Sequence, residues 1–406
     1  MSTKPNILIV NGYLEVPLRT SIRDLIYAFH RNTKCNAFFY SIEQGPIPAY
    51  LKKVKFDLVV FTTLLLGERW GGQSKMYEKV YKPLEHLRDI DAIKVIHPQD
   101  EWIHTTALNN FINDFKVNHV FSVAPESEWP KIYEKVDFNR VKFHRVLTGY
   151  LADQTVNEIN KIIEVTPERK IDIGYRAYKS PPWLGRHGYL KTKIADVFQR
   201  IAPASGFSID ISTEKNDTKL GNDWLNFLAN CKYFIGVEGG STVIDPDGFI
   251  FKKGTEYHLK NPAASFEDFE QNCFPGMDGN LQLFAVSPRH LEACAAKTCQ
   301  VLIEGSYNDI LIPHKHYIEL KKDFSNIKEV LEKMKNEELR KQIVETAYRD
   351  IVASHKYSYI GYTDQIILIS LNKAKLGNKG LLNYFHLQRN RISEQRFWKN
   401  KMAFVK

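Results

Sequence analysis

The residues best suited to chemistry lie in Ser287-Pro-Arg-His-Leu-Glu-Ala293, between an apolar run from Leu281 to Val286 and a second, Val301-Leu-Ile303, that exits at Glu304-Gly305. This pattern predicts a strand, a helix and a second strand. Ser287 suits the N-cap and Pro288 the first helical turn. Arg289 and His290 then add donors beside backbone N–H groups whose dipole already favours an anion. A phosphate held there, with Glu292 near enough to take hydroxyls, is the chemistry of a nucleotide-sugar site. A capped surface helix with ordinary charges is the competing account.

Other polar side chains also follow apolar runs. Gly236-Val-Glu-Gly-Gly-Ser241 places Glu238, Ser241, Thr242 and Asp245 where they could line a sugar, although the order is not GxGxxG and Asp245-Pro-Asp-Gly248 is also a good turn. His97-Pro-Gln-Asp-Glu101 follows Ile93-Lys-Val-Ile96, so Asp100 or Glu101 could accept a hydroxyl proton as general base, or Asp100 could cap the next helix. Arg176 could meet a diphosphate or sugar carboxylate bidentately, or an acid at a domain interface. His314 and His316 alternate along an extended segment; His316 is read as a ligand contact and His314 as facing solvent. The five cysteines (Cys35, Cys231, Cys273, Cys294, Cys299) show no zinc spacing and read as reduced and buried. Of the two Asp-x-Asp triplets, Asp89-Ile-Asp91 precedes its strand and Asp245-Pro-Asp247 reads as a turn, so no metal is expected.

Two α/β halves must position these groups. A chain of 406 residues suits two domains of ordinary size. Residues 6–151 alternate apolar strands with amphipathic helices, with strands at 7–10, 37–40, 58–61, 93–96, 120–123 and 141–147 and a helix carrying Ile22, Leu25, Ile26 and Phe29 on one face behind Ser21 as its cap. The polar stretch from Ala152 to Lys170, with Pro167, is the candidate linker. A second series follows: strands at 171–174, 207–211, 233–236, 281–286, 301–303 and 317–320, helices at 191–201, 223–231, 288–293, 326–334 and 337–355, and an irregular segment 239–280. The domains are therefore read as 1–155 and 168–370, two Rossmann-like units facing across a cleft where ligands of such sheets bind, followed by a tail over 371–406.

The second half resembles the donor domain of GT-B glycosyltransferases of bacterial surface-polysaccharide clusters (capsule or O-antigen). The resemblance rests on Ile173-Gly-Tyr-Arg176, Gly236-Val-Glu-Gly-Gly-Ser241 with Asp245-Pro-Asp-Gly248, Ser287-Pro-Arg-His-Leu-Glu-Ala293, and His316-Tyr317 with Asp323-Phe-Ser-Asn-Ile327; Gln99-Asp-Glu-Trp102 and Leu147-Thr-Gly-Tyr150 add less specific matches. It implies that Glu292 holds the donor ribose, that Arg176, Ser241, Arg289, His290 and His316 contact the donor, and that Asp100, Glu101, Glu238 or Asp245 carries the catalysis. In retaining members a first glutamate stands eight positions before the ribose ligand. Here that position is Phe284, and Glu304 lies on the wrong side to replace it, so the stereochemical outcome stays open. The donor implied is linked to UDP, GDP, dTDP or CMP, the last fitting Kdo or another acidic sugar. No cofactor is implied, because Arg and helix N-termini would neutralise the leaving phosphate. A sugar-nucleotide epimerase of the same architecture and a non-catalytic two-domain sugar-binding protein are the alternatives.

Charge narrows the partners. The net charge is +9, and residues 371–406 supply most of it, with Lys373, Lys375, Lys379, Arg389, Arg391, Arg396, Lys399 and Lys401 among Tyr384, Phe385, Phe397, Trp398 and Phe404. Such a tail suits an anionic membrane surface, where lipid-linked glycan acceptors reside, or packs against the body. Nothing else resembles a nucleic-acid module. No apolar stretch approaches a bilayer span and the start reads directly into a strand, so the expected location is cytoplasmic, with peripheral contact at the inner face of the cell membrane through the tail.

Overall fold

The computed structural model describes residues 4–166, 168–371 and 381–403, with side chains in the last segment from 385 onward. The first sheet contains β1 (Asn6–Asn11), β2 (Asn36–Ser41), β3 (Leu58–Phe61), β4 (Ile93–Ile96), β5 (His119–Ser122) and β6 (Lys142–Arg145), all parallel in the order β2-β1-β3-β4-β5-β6. Its apolar runs lack alternation because helices cover both faces, and β1 and β3 are buried throughout. The helices that matter for the site are α1 (Thr20–Arg31), α2 (Thr105–Asp114) and α3 (Asp153–Glu164), which leads into the second unit.

The second sheet is also parallel, in the order β13-β12-β9-β7-β8, from β7 (Ile171–Arg176), β8 (Ile209–Ser212), β9 (Cys231–Gly236), β12 (Cys299–Ile303) and β13 (Ile318–Leu320). Around it lie α4 (Gly185–Ile201), α5 (Gly221–Asn230), α6 (Phe249–Lys260), α7 (Phe266–Cys273), α8 (Pro288–Ala295), α9 (Ile327–Met334) and α10 (Glu337–Ala347). Two expectations are corrected here. The segment 239–280 is not irregular: it holds α6 and α7, with their own small core of Val243, Ile250, Phe266, Phe269 and Phe274. The run before Ser287 does not join the main sheet, because β11 (Leu283–Ala285) pairs antiparallel with β10 (Gly239–Ser241).

The chain then returns. Leu151 and the Tyr357–Tyr359 segment exchange backbone bonds (Leu151 N to Tyr357 O and Tyr359 N to Leu151 O, both 2.9 Å), so the outward and homeward crossings lie side by side. Beyond them, α11 (Tyr359–Ser370) enters the core of the first unit: Tyr359, Tyr362 and Ile366 pack among Ile7, Ile9, Leu25 and Phe29. The Asn32 amide donates to Thr363 Oγ1 at 2.8 Å and Asp364 Oδ1 at 2.9 Å. Residues 359–370, assigned by sequence to the second domain, thus complete the first.

The tail is packed where it is described. Helix α12 (Leu381–Ala403) lies along β2, the edge of the first sheet. Asn390 both accepts from Phe39 N and donates to Phe39 O, each at 2.8 Å, and Phe397 and Trp398 stack near Phe39. An extended edge is a template for unwanted pairing, and at Phe39 one amide side chain satisfies both backbone groups. Lys373, Lys375, Lys379 and Phe404, and the side chain of Tyr384, lie outside the described residues. No helix among those described is long and apolar enough to cross a membrane. We predict that Asn390→Ala lowers stability by about 1–3 kcal/mol, because both Phe39 backbone groups lose their partner in a buried place; unchanged chemical denaturation would show the edge satisfied otherwise.

Candidate functional site

The carboxyl ends of the two sheets border a cavity of about 470 Å³. One wall belongs to the first unit: Arg19 to Ile22 at the start of α1, Gln99, Asp100 and Thr148. The other is built from the β7 exit, Lys191 on α4, the 218–221 turn, Trp224 on α5, Gly236, and the start of α8 with Glu292. The walls meet where Gly149 faces Pro288: a Cβ on Gly149 would fall 2.8 Å from the Pro288 ring.

The start of α8 forms the predicted cap. Ser287 Oγ accepts from Arg289 N, and Ser287 N donates to His290 Nδ1 at 3.1 Å. Because Nδ1 accepts, the His290 proton resides on Nε2, beside the bare Cα of Gly236. Burial pushes the His290 pKa down to about 3, so the ring is a neutral donor. Arg289 spends one nitrogen on Arg176 O at 2.8 Å and lies over Trp224, with 5.6 Å to the ring centroid. The same indole donates through Nε1 to Glu292 Oε2 at 2.7 Å. One aromatic side chain therefore orients both the cation and the carboxylate. Burial raises the Glu292 pKa, with Trp224 and Arg289 opposing.

Sequence reading missed Lys191. It began this helix at Lys191, whereas α4 starts at Gly185 and carries Lys191 inward. The ammonium makes no hydrogen bond or ion pair among the described residues; burial and Arg289 lower its pKa, and Asp100 raises it. Two cations thus face the same space without a salt-bridge partner. Arg19 and Thr20 were missed as well: α1 begins at Thr20 with Arg19 at the N-cap position, so Ser21 is not its cap but lines the cavity.

Asp100 faces the cleft from a left-handed backbone position, φ 51°, which Asp tolerates better than most residues. Arg69, 1% exposed, holds this segment by donating to the carbonyls of Leu66 (2.7 Å), Asp100 (2.6 Å), Ile103 (3.2 Å) and Gln99. Crowding raises the Asp100 pKa, while Arg69 and Lys191 pull it down.

Six predicted residues do other work. Glu101 points into the first core, accepting from Ser122 Oγ (2.6 Å), Val123 N (3.0 Å), Ala124 N (3.1 Å) and the Tyr133 hydroxyl. Burial pushes its pKa up to about 7 against those donors. Glu238 turns behind the cleft to accept from Tyr307 N (2.6 Å) and Ser306 Oγ (3.2 Å). Ser241 bonds to Leu184 and Val243 carbonyls, and Asp245 accepts from Phe251 N at 2.8 Å at the start of α6 while its backbone pairs with Trp102 and His104. Arg176 borders the cleft, but its guanidinium is spent on Asp210 (2.5 Å to Oδ1) and three carbonyls, an ion pair within the second unit. His316 lies outside the cleft lining and pairs with Asp350 at 3.2 Å. Position at or after a strand end was a real signal for all but His316, which precedes β13; what it could not reveal was which way each side chain turned.

All five cysteines are buried free thiols. Glu101→Ala should cost about 3–5 kcal/mol, since it strands donors in the core, yet leave ligand affinity of the folded protein unchanged. Melting curves and nucleotide titration of the variant check both halves.

No family model matches this chain, and no curated protein does. Among solved structures it is similar to sucrose-phosphate synthase from Thermosynechococcus elongatus, with 8% identity over 90% of this chain and 98% of that one and a TM-score of 0.50. HepE from Anabaena in complex with UDP-glucose gives 12% identity over 90% and 100%, with a TM-score of 0.49. The catalytic domain of starch synthase IV from Arabidopsis thaliana bound to ADP and acarbose gives 8% over 91% and 99%, with a TM-score of 0.44. The two parallel sheets facing across a cleft, with the chain returning to its first unit, are the GT-B fold.

Proposed function

We propose that this GT-B chain transfers a sugar from a nucleotide-sugar donor to a glycan acceptor. The observation that carries the reading is the convergence of Lys191 and Arg289, neither in a salt bridge among the described residues, with the Glu292 carboxylate on one cavity at the carboxyl ends of both sheets. Two half-buried like charges facing one cavity repel each other, and a nucleotide phosphate supplies an anion that joins them. Glu292 keeps one oxygen for ribose hydroxyls, and the His290 Nε2–H adds a neutral donor. Lys191, Arg289 and the start of α8 stabilise the leaving phosphate, so the reaction proceeds without a metal. Asp100, on the opposite wall, is the base that takes the acceptor proton if the reaction inverts. The acceptor is a growing surface polysaccharide, held by the first unit in the cytoplasm; a lipid-linked form would meet the outward side of α12, where Arg389, Arg391, Arg396 and Lys399 are exposed beside Phe385 and Ile392.

Titration with UDP, GDP, dTDP and CMP is expected to find one preferred nucleotide, whose affinity falls by roughly tenfold or more in Arg289→Ala and in Lys191→Ala. Equal affinity in all three proteins would remove the pair from the site. Nucleotide release that needs no acceptor glycan would favour an epimerase instead.

Asp100 sets the pH dependence. A base must be ionised, and its pKa is raised, so kcat/KM falls as pH drops through a value above the ordinary 3.8. Asp100→Asn should abolish that limb and cost about 10²–10⁴ in rate. A variant that retains the wild-type profile would exclude Asp100 as the base.

A further inference from the structure

The start of α1 is electrostatically at odds with its surroundings. Helix N-termini favour negative charge, yet the first turn of α1 holds no acid, and the N-cap position is filled by a cation, Arg19, without a side-chain cap. Across the cavity stand Lys191 and Arg289. Arg23, one turn on, is saturated by Glu158, Thr155 and Asp24. Arg19 is exposed, and the one hydrogen bond of its guanidinium among the described residues goes to the Tyr178 hydroxyl on the opposite wall, at 2.9 Å. At the same end, Thr20 lines the cavity, is 4% exposed, and has an Oγ1 without a hydrogen-bond partner. Backbone N–H groups, an underused guanidinium and an orphan hydroxyl thus gather at one place.

We propose that Arg19, the Thr20 hydroxyl and the first turn of α1 form a second anion subsite, which takes a carboxylate or phosphate carried by the transferred sugar or by the acceptor. This rests on the reading that Lys191 and Arg289 hold the donor phosphates. The subsite lies on the first unit's wall, opposite Arg289, so it meets the sugar end of a donor or the acceptor beyond it. Arg19 is a fork that can bind either anion through two N–H groups once Tyr178 yields. The contact with Tyr178 also spans the cleft, and an arriving anion exchanges that bond for a stronger one.

The test uses the full chain saturated with the preferred nucleotide of the panel above, titrated with glucose, glucuronate and glucose 6-phosphate. One anionic sugar is expected to bind at least about tenfold tighter than glucose. Preference for glucuronate identifies a sugar carboxylate, and preference for glucose 6-phosphate a phosphate-bearing acceptor. Arg19→Ala should reduce the preferred probe to the affinity of glucose while changing nucleotide affinity less than about twofold, and Thr20→Val should weaken the same probe by about threefold. The inference fails if neither anion outcompetes glucose, or if the preference survives in Arg19→Ala. It fails equally if Arg19→Ala weakens nucleotide as much as Arg289→Ala, which would put Arg19 in the donor phosphate site. If no nucleotide binds, the donor reading falls separately; the same probes on the unliganded chain still decide the Arg19 subsite.

Discussion

The Arg69 guanidinium is sealed from water and hydrogen-bonds to no carboxylate oxygen; its donors go to carbonyls, with the charges of Asp100 and Glu101 supporting it from farther off. Burying that charge is affordable only because four carbonyls from two chain segments turn toward it. Those segments are the turn after β3 and the loop after β4, so the arginine fixes the irregular backbone that a parallel sheet leaves at its carboxyl edge. From this loop Asp100 turns into the cleft, Glu101 turns back into the core, and the backbone from Trp102 to His104 receives Asp245 of the second unit. The wall that faces the ligand, and part of the seam between the units, depend on one charge kept in place by geometry.

The second wall uses the opposite device. Trp224 offers a π face to Arg289 and an N–H to Glu292, so a cation and a carboxylate three positions apart in sequence are oriented by a third residue with no charge. A direct Arg289–Glu292 ion pair would quench both groups. Held apart, they present opposite charge to a ligand that itself carries phosphate and hydroxyls.

Much of the fold was legible because parallel strands buried on both faces read as short apolar runs, and those runs do not depend on distant partners. The Ser287 cap was legible for a similar reason: a capping box is a local contract between neighbours. What failed was orientation. Asp100 and Glu101 are adjacent, with the same charge and the same strand before them, yet only one reaches the cleft, because Ser122, Val123, Ala124 and Tyr133 lie 21 to 32 residues away and capture the other. Lys191 was hidden because its helix begins at Gly185, before the apolar pattern does. Arg19 was hidden because a basic residue at a helix start contradicts the usual signal. Local pattern finds elements; the sense in which a polar side chain turns is settled by residues far off in the chain.

The homeward crossing at Leu151 and Tyr357 makes the second unit, in topological terms, an insertion within the first. During synthesis the leading strands emerge early, but the apolar surface over Ile7, Ile9, Leu25 and Phe29 receives Tyr359, Tyr362 and Ile366 only after the whole second unit has been made. The first domain to be translated is therefore the last to be finished. Its sheet must wait, partly uncovered, while some 200 residues fold beside it, and long-range closure of this kind is slow and exposes the chain to misassembly.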